Sequence, residues 1–202
     1  MYFQFLSTFC EPLMEVLKKE IRSGPLIGID ETTVQVLNEP GRSNTTKSYM
    51  WVFRGGPPEQ PVLLYLYNPT RAGQVPMDLL AGYENFIQTD GYSGYDELGR
   101  QAGIHHVGCW AHARRMFIKV IDARKKGKKS KGGIAETAVD YIRDLYAIER
   151  EARAENLDFD QIYILRQDKA KPILTEFKEW LVSCAGTTPP QGLLGKAIPY
   201  NP

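Results

Sequence analysis

The stretch Leu26-Ile27-Gly28-Ile29-Asp30-Glu31-Thr32-Thr33-Val34-Gln35-Val36-Leu37 decides the fold. It reads as one strand with an acid set in its most apolar part. A carboxylate there costs free energy unless it is hydrogen-bonded, paired or bound to a cation. Strand alternation puts Asp30 on one face with Gly28 and Thr32, and Glu31 on the other with Ile29 and Thr33. Without a bulge only one of the two acids can point into a site. Asp30 is the choice, which leaves Glu31 as a neighbour behind it or a solvated carboxylate.

Working outward, Tyr49–Phe53 and Val62–Tyr67 read as two more strands. The breaks at Pro40-Gly41-Arg42-Ser43-Asn44 and Gly55-Gly56-Pro57-Pro58 are turn chemistry, so the three strands are expected to form an antiparallel meander. The pattern then changes. Gln74–Ala81 fits a short helix and Asn85–Asp90 a fourth strand. Ser93 with Asp96 resembles a capping box opening a helix that ends near Gly103. Ile104–Cys109 makes a fifth strand and Trp110–Ile121 a helix. A meander followed by helix-linked strands implies a mixed sheet covered on both faces.

Upstream, Leu6, Phe9, Leu13, Val16, Leu17 and Ile21 recur at helical spacing, and Ser23-Gly24-Pro25 stops that helix. Met1–Gln4 reads as a scar or a trimmed start. Downstream, residues 124–133 form a lysine-rich linker. Ile134, Ala138, Tyr141, Leu145, Ile148 and Ala152 mark a long helix. A further helical stretch runs from Ile162 to Leu181 and is interrupted by Pro172, which together suggests an antiparallel hairpin. The expected divisions are 5–24 for the N-terminal helix, 25–123 for the α/β core, 124–186 for the basic linker and helical segment, and 187–202 for the start of a return to the core.

Of the 202 residues, 43% are hydrophobic and 24% charged, enough for a real core and too ordered a composition for wholesale disorder. The net charge of +1 announces no nucleic-acid binder. Its distribution says more, because residues 111–131 hold nine Lys or Arg against Asp122 alone. Cys10, Cys109 and Cys184 are scattered and odd in number, so reduced thiols and a cytoplasmic location are expected. No apolar run approaches the roughly 20 residues that span a bilayer, and no signal peptide is apparent.

Asp90, in Thr89-Asp90-Gly91-Tyr92, ends the fourth strand, where sites of open α/β sheets gather. If the first and fourth strands are neighbours, Asp30 and Asp90 face each other about one strand spacing apart, roughly 5 Å. Their repulsion would be relieved by a divalent cation. Mg²⁺ (or Mn²⁺) suits few carboxylates plus waters and phosphate oxygens. Taken singly, each acid is as well explained by a turn or cap.

In order and spacing, "IGIDETTVQVL", "SYMWVF", "TDGYSGYDEL" and "VGCWAHARRMF" resemble the catalytic domain of the insertion-sequence-66 family of bacterial DDE transposases. "LYAIEREAR" and "LLGKAI" resemble its helical insertion and the segment after it. The resemblance covers about Pro12 to Ile198. It implies a ribonuclease-H-like mixed five-stranded sheet flanked by helices, with an all-helical insertion. It also implies that Asp30 and Asp90 are the first two catalytic and metal-binding acids, with a third, a Glu, lying beyond Pro202. The fragment is therefore expected to be inactive by itself. Glu136, Glu149, Glu151 and Glu176 are read as solvated or ion-paired helix positions instead.

Cys109-x-x-His112 is half a zinc pattern with no second half, so structural zinc is not expected. By resemblance His112 becomes an active-site neighbour, and strand alternation beside Asp30 makes Glu31 another. His105 and His106 should point to opposite faces of their strand. Arg115 and Lys119 share a helix stripe with His112, which either meets DNA or is an exposed cationic face; Arg114 is assigned to the exposed face. Lys125, Lys126, Lys128 and Lys129 either neutralise DNA phosphates or form a solvated linker, and the resemblance favours DNA. Tyr92 and Tyr95 fit stacking near the site or core packing, and Trp51 and Trp180 are read as core.

The expected reaction is metal-assisted strand cleavage and joining at the ends of a mobile element. DNA is the partner, a homo-oligomer is expected of the complete protein, and no membrane is involved. A ribonuclease-H-like nuclease that cleaves without joining is one alternative. A non-catalytic DNA-binding remnant is the other.

Overall fold

A computed structural model describes residues 2–125 and 133–200. Lys126, Lys128 and Lys129 lie outside the described residues, as does the side chain of Lys125. The chain divides into two compact units, one up to Cys109 and one from Trp110 onward.

The first unit opens with α1 (Tyr2–Arg22) and continues through β1 (Leu26–Gln35), β2 (Lys47–Gly55) and β3 (Val62–Asn68). It then runs through α2 (Gln74–Leu79), β4 (Phe86–Thr89), α3 (Asp96–Gly99) and β5 (His105–Gly108). The sheet order is β3-β2-β1-β4-β5. β1 pairs antiparallel with β2, and β2 with β3, whereas β1–β4 and β4–β5 are parallel. These are the expected meander and helix-linked parallel strands, and the order and directions are those of a ribonuclease-H-like sheet.

Alternation sets which face is core. Ile27 and Ile29 of β1, Trp51 and Phe53 of β2, Leu64 of β3 and Ile87 of β4 are buried on one face. They pack with Ile21 of α1, Val75 and Leu79 of α2, and Leu98 of α3. The opposite face carries Leu63, Tyr65, Phe86 and Val107, exposed by 53, 62, 46 and 36%. Helices α1, α2 and α3 all contribute to the core on the first face.

Two further expectations change in this unit. Of the α1 stripe, Ile21 is buried and Met14 packs on the core, but Leu13 and Val16 are more than half exposed. The face that meets the core runs through Met14 and Ile21, two turns apart on one stripe, and Leu13 and Val16 lie off it. The capping box at Ser93 does not form. Ser93–Tyr95 is itself a 3₁₀ turn, and neither it nor α3 is capped by a side chain.

The second unit is helical: α4 (Trp110–Lys125), α5 (Ile134–Ala154), α6 (Phe159–Leu165), α7 (Lys171–Ala185) and α8 (Leu193–Ala197). Phe117 and Val120 of α4 share one core with Ala135, Ala138 and Ile142 of α5 and Phe177 and Leu181 of α7. For that reason α4 groups with the helices, ahead of the division read at 123. Tyr141 stacks on Phe177 at 4.8 Å, and Trp110 and Trp180 flank it at 6.0 and 6.1 Å.

Between α6 and α7 the chain widens into a π-helical turn, Arg166–Ala170, just before Pro172. Proline has no N–H for the carbonyl one turn back, and its ring crowds that carbonyl. A complete capping box does open α6. Asp158 accepts from the Gln161 N–H at 2.9 Å, and the Gln161 side chain accepts from the Asp158 N–H at 3.0 Å. Asp158→Ala should therefore lower stability by about 1 kcal/mol, read as a shift in the urea midpoint at constant slope. A loss under about 0.3 kcal/mol would show that α6 does not depend on its cap.

Candidate active site

Parallel pairing of β1 with β4 runs Leu26↔Phe86, Ile27↔Ile87, Gly28↔Gln88. Asp30 and Asp90 each lie two residues past that last pair, on neighbouring strands. β4 ends at Thr89 while β1 continues against β2 to Gln35, so the two strands part at these acids. A crevice outside a strand's carboxyl end is where ligands bind in such sheets. Asp30 is exposed and Asp90 half-buried.

Each acid is steadied by a local backbone bond. Asp30 Oδ1 accepts from the Glu31 N–H at 2.9 Å, and Asp90 Oδ1 accepts from the Tyr92 N–H at 2.9 Å. The second bond makes the turn after β4. Gly91 has no positive φ, so the aspartate side chain rather than glycine's conformational freedom shapes this corner.

Glu31 points the other way, as alternation requires, but it is not solvated. Its side chain is 1% exposed. Arg71, in the loop between β3 and α2, donates from Nε to Glu31 Oε1 at 2.5 Å and also pairs with it through a terminal nitrogen. The same terminal nitrogen lies 3.9 Å from Asp90 Oδ2. The guanidinium sits over the Tyr92 ring, 3.6 Å from its centre, and the Tyr92 hydroxyl donates to the Arg71 carbonyl at 3.0 Å. Tyr95, fully buried, donates its hydroxyl to Glu31.

A close glycine contact holds the two loops together. A Cβ on Gly73 would stand 2.3 Å from the Gly94 carbonyl oxygen, so a side chain there would force the two backbones apart.

Electrostatics follow from this packing. Burial pushes the Tyr95 phenol far up, reinforced by its bond to Glu31 and by the nearby charges of Glu31, Asp90 and Asp30. It stays a neutral donor. Desolvation pulls the Arg71 guanidinium down, but the bond to Glu31 and the charges of Glu31 and Asp90 outweigh it and leave it raised. Arg71 thus couples Glu31 to Asp90. The sequence reading missed it, since nothing in Pro69-Thr70-Arg71-Ala72-Gly73 marks an arginine whose partners lie 40 and 19 positions away.

Behind Asp90, the Thr89 hydroxyl donates to the Asp90 carbonyl at 2.7 Å. The hydroxyl's single proton is used there, so the 2.7 Å contact with His106 Nε2 has the imidazole N–H donating. Desolvation lowers the His106 pKa from its usual 6.5, against a weaker opposing pull from Asp96. The unfolded chain then takes the proton first as pH falls, so stability is full above about pH 6.5 and declines below it. The decline is small because the ring is partly solvated. His106→Gln should flatten the melting temperature between about pH 7 and 5.5, and an unchanged slope would contradict this. His105, on the other face, packs on Phe86 at 4.9 Å.

The remaining sequence-selected residues lie in the second unit. His112 is half-buried on the first turn of α4, and Arg115 and Lys119 are exposed on that helix. Glu149 makes a two-pronged pair with Arg166 at 2.8 Å, Glu151 meets Lys169 at 2.5 Å, Glu136 meets Arg124 at 3.4 Å, and Glu176 accepts from Tyr141 at 2.7 Å. All four glutamates are thereby accounted for as helix-surface partners.

Among the described residues, no three His, Cys, Asp or Glu side chains converge into a set able to hold a metal ion. Asp30 and Asp90 remain as two hard oxygen donors at an open strand end. That suits a cation which keeps waters and phosphate oxygens in its shell. No described helix is long and apolar enough to cross a membrane.

The family model described as "Transposase IS66 family" matches residues 3–201. Among curated proteins, the uncharacterized protein y4jD of Sinorhizobium fredii is 30% identical over 95% of this chain and 38% of its own length. The uncharacterized proteins y4hP and y4qI of the same bacterium are 27 and 28% identical, over 84 and 93% of this chain. The chain spans about a third of the length of these relatives. A chain in the solved simian T-cell lymphotropic virus intasome in complex with PP2A regulatory subunit B56 gamma aligns at 12% identity. That alignment has a TM-score of 0.34 and covers 72% of this chain and 48% of the other.

Proposed function

Because the chain belongs to the IS66 family of transposases, we propose that its first unit supplies Asp30 and Asp90 as two metal-binding acids of a DNA-cleaving and joining site. The observation that carries this reading is the register of β1 and β4. It sets the two acids level on adjacent parallel strands, at the point where the strands part. Strand parity turns Asp30 outward and Glu31 inward, so Asp30 is the acid available to a substrate.

Mg²⁺ or Mn²⁺ bound by Asp30 and Asp90 would neutralise charge at the scissile phosphate and activate the attacking hydroxyl. This chain's own residues prepare that site. The Tyr92 N–H and the Thr89 hydroxyl fix the side chain and carbonyl of Asp90. Arg71 holds Asp90 from one side while its fork is committed to Glu31. Arg71 and Glu31 are positioning residues, and Glu31 is spent as a counter-charge inside the fold. Two acids are an incomplete set for a two-metal reaction, so we assign the third to another part of the full-length protein. The DNA ends, target DNA and assembly into a homo-oligomer belong to that full-length protein as well.

The experiment is an assay of the full-length transposase on labelled insertion-sequence ends. Cleavage with joined products supports a transposase. Cleavage without joining would make it a ribonuclease-H-like nuclease, and end binding without cleavage a DNA-binding remnant.

A further inference from the structure

We propose that a groove between α4 and α5 of the helical unit binds the phosphate backbone of DNA. Its volume is about 580 Å³, and four arginines line it: Arg114 and Arg115 from α4, Arg143 and Arg150 from α5. Tyr146 stands between the two α5 arginines, and no acidic residue lines the groove.

The spacing is what makes this a groove and not scattered surface charge. Val139, Arg143, Tyr146 and Arg150 follow one another by four, three and four residues, which is one stripe of a helix. Arg114 and Arg115 lie on the stripe of α4 that faces it. The two helices run antiparallel, since Arg124 near the end of α4 meets Glu136 near the start of α5 at 3.4 Å. Arg143 is partly neutralised by Asp140 and Asp144 on its own helix, at 2.5 and 3.3 Å. Among the described residues, Arg114, Arg115 and Arg150 enter no ion pair. Like charges held on two packed helices repel, and an anion in the groove relieves that cost.

Phosphodiester fits better than a single small anion. From Arg143 to Arg150 the helix rises about 10 Å, and one DNA strand carries a phosphate about every 3.4 Å of axis, so the row spans roughly three phosphates. Guanidinium forks match phosphate oxygens in pairs. The floor is apolar, with Ile118 and Val139, and offers nothing for reading bases. The binding is therefore sequence-independent. The groove also revises the α4 reading. Arg114, assigned above to an exposed face, lines it beside Arg115, whereas Lys119 does not.

This proposal rests on the reading of the chain as a DNA-acting protein, but it fails separately from the acids of the first unit. The test is fluorescence anisotropy of the 202-residue chain with a labelled duplex of about 20 base pairs and arbitrary sequence, from about 50 to 200 mM salt. Arg114→Ala with Arg150→Ala should weaken binding at least tenfold at about 100 mM salt and reduce the salt slope by about 2. The same pair changed to Lys should keep a slope near that of the parent, because the charge is retained. Arg166→Ala, which removes a residue already paired with Glu149, should leave binding unchanged.

If the parent chain binds but the double Ala variant keeps its affinity and slope, the groove assignment is overturned and the transposase reading stands. If the parent chain binds no duplex, or binds poly-glutamate in its place, the proposal is likewise overturned. Cleavage by full-length Asp30 variants then still decides the reading of the site.

Discussion

Arg71→Ala should destabilise the first unit by about 2–3 kcal/mol, although it removes no core side chain. Glu31 keeps its charge in a nearly solvent-free position, with a side chain 1% exposed. Removing one partner of a buried pair costs about 3–5 kcal/mol, because the other charge is left uncompensated. The loss expected here falls at or just below the bottom of that range. Arg71 itself is 35% exposed, so water can enter its place, and Tyr95 still donates to Glu31. Glu31→Gln in the Arg71→Ala background should recover much of the loss, giving a coupling of about 1–2 kcal/mol in a double-mutant cycle. Urea unfolding of the four proteins reads both quantities. Additive losses, or a loss under about 0.5 kcal/mol for Arg71→Ala alone, would show that the pair does not hold this corner.

The sheet was legible because its signals are local. Aliphatic runs, two turn-rich breaks and a change from meander to helix-linked strands suffice to order five strands. Alternation alone separates Asp30 from Glu31 and His105 from His106. What escaped depends on contacts between distant segments. Arg71 could not be found from its own loop, and the solvated alternative for Glu31 gave way to a buried, doubly held carboxylate because Arg71 and Tyr95 reach it from elsewhere. Ser93-x-x-Asp96 has the composition of a capping box, but Ser93 starts a 3₁₀ turn and the preceding Tyr92 is engaged with Arg71. Leu13 and Val16 are apolar at a helical spacing, yet it is Met14 and Ile21 that pack on the sheet core.

Asp30→Asn and Asp90→Asn in the full-length protein carry the largest expected effect. An amide loses the negative charge that holds a divalent cation but keeps nearly the same shape. DNA binding and folding should therefore persist while chemistry is lost, by at least about 10³-fold if the cation supplies several kcal/mol at the transition state. Glu31→Gln serves as the internal contrast. It leaves the outward acids in place and loosens only the Arg71 that steadies Asp90, so its loss of activity should be far smaller than that of either aspartate variant.

The decisive measurement is cleavage of labelled transposon ends by full-length Asp30→Asn in Mg²⁺, with end binding followed in the same samples. Binding within about twofold of the parent and cleavage reduced at least about 10³-fold is the result expected of a metal-binding acid at Asp30. Cleavage at the parent rate, with the Asn variant folded and bound, would contradict that assignment.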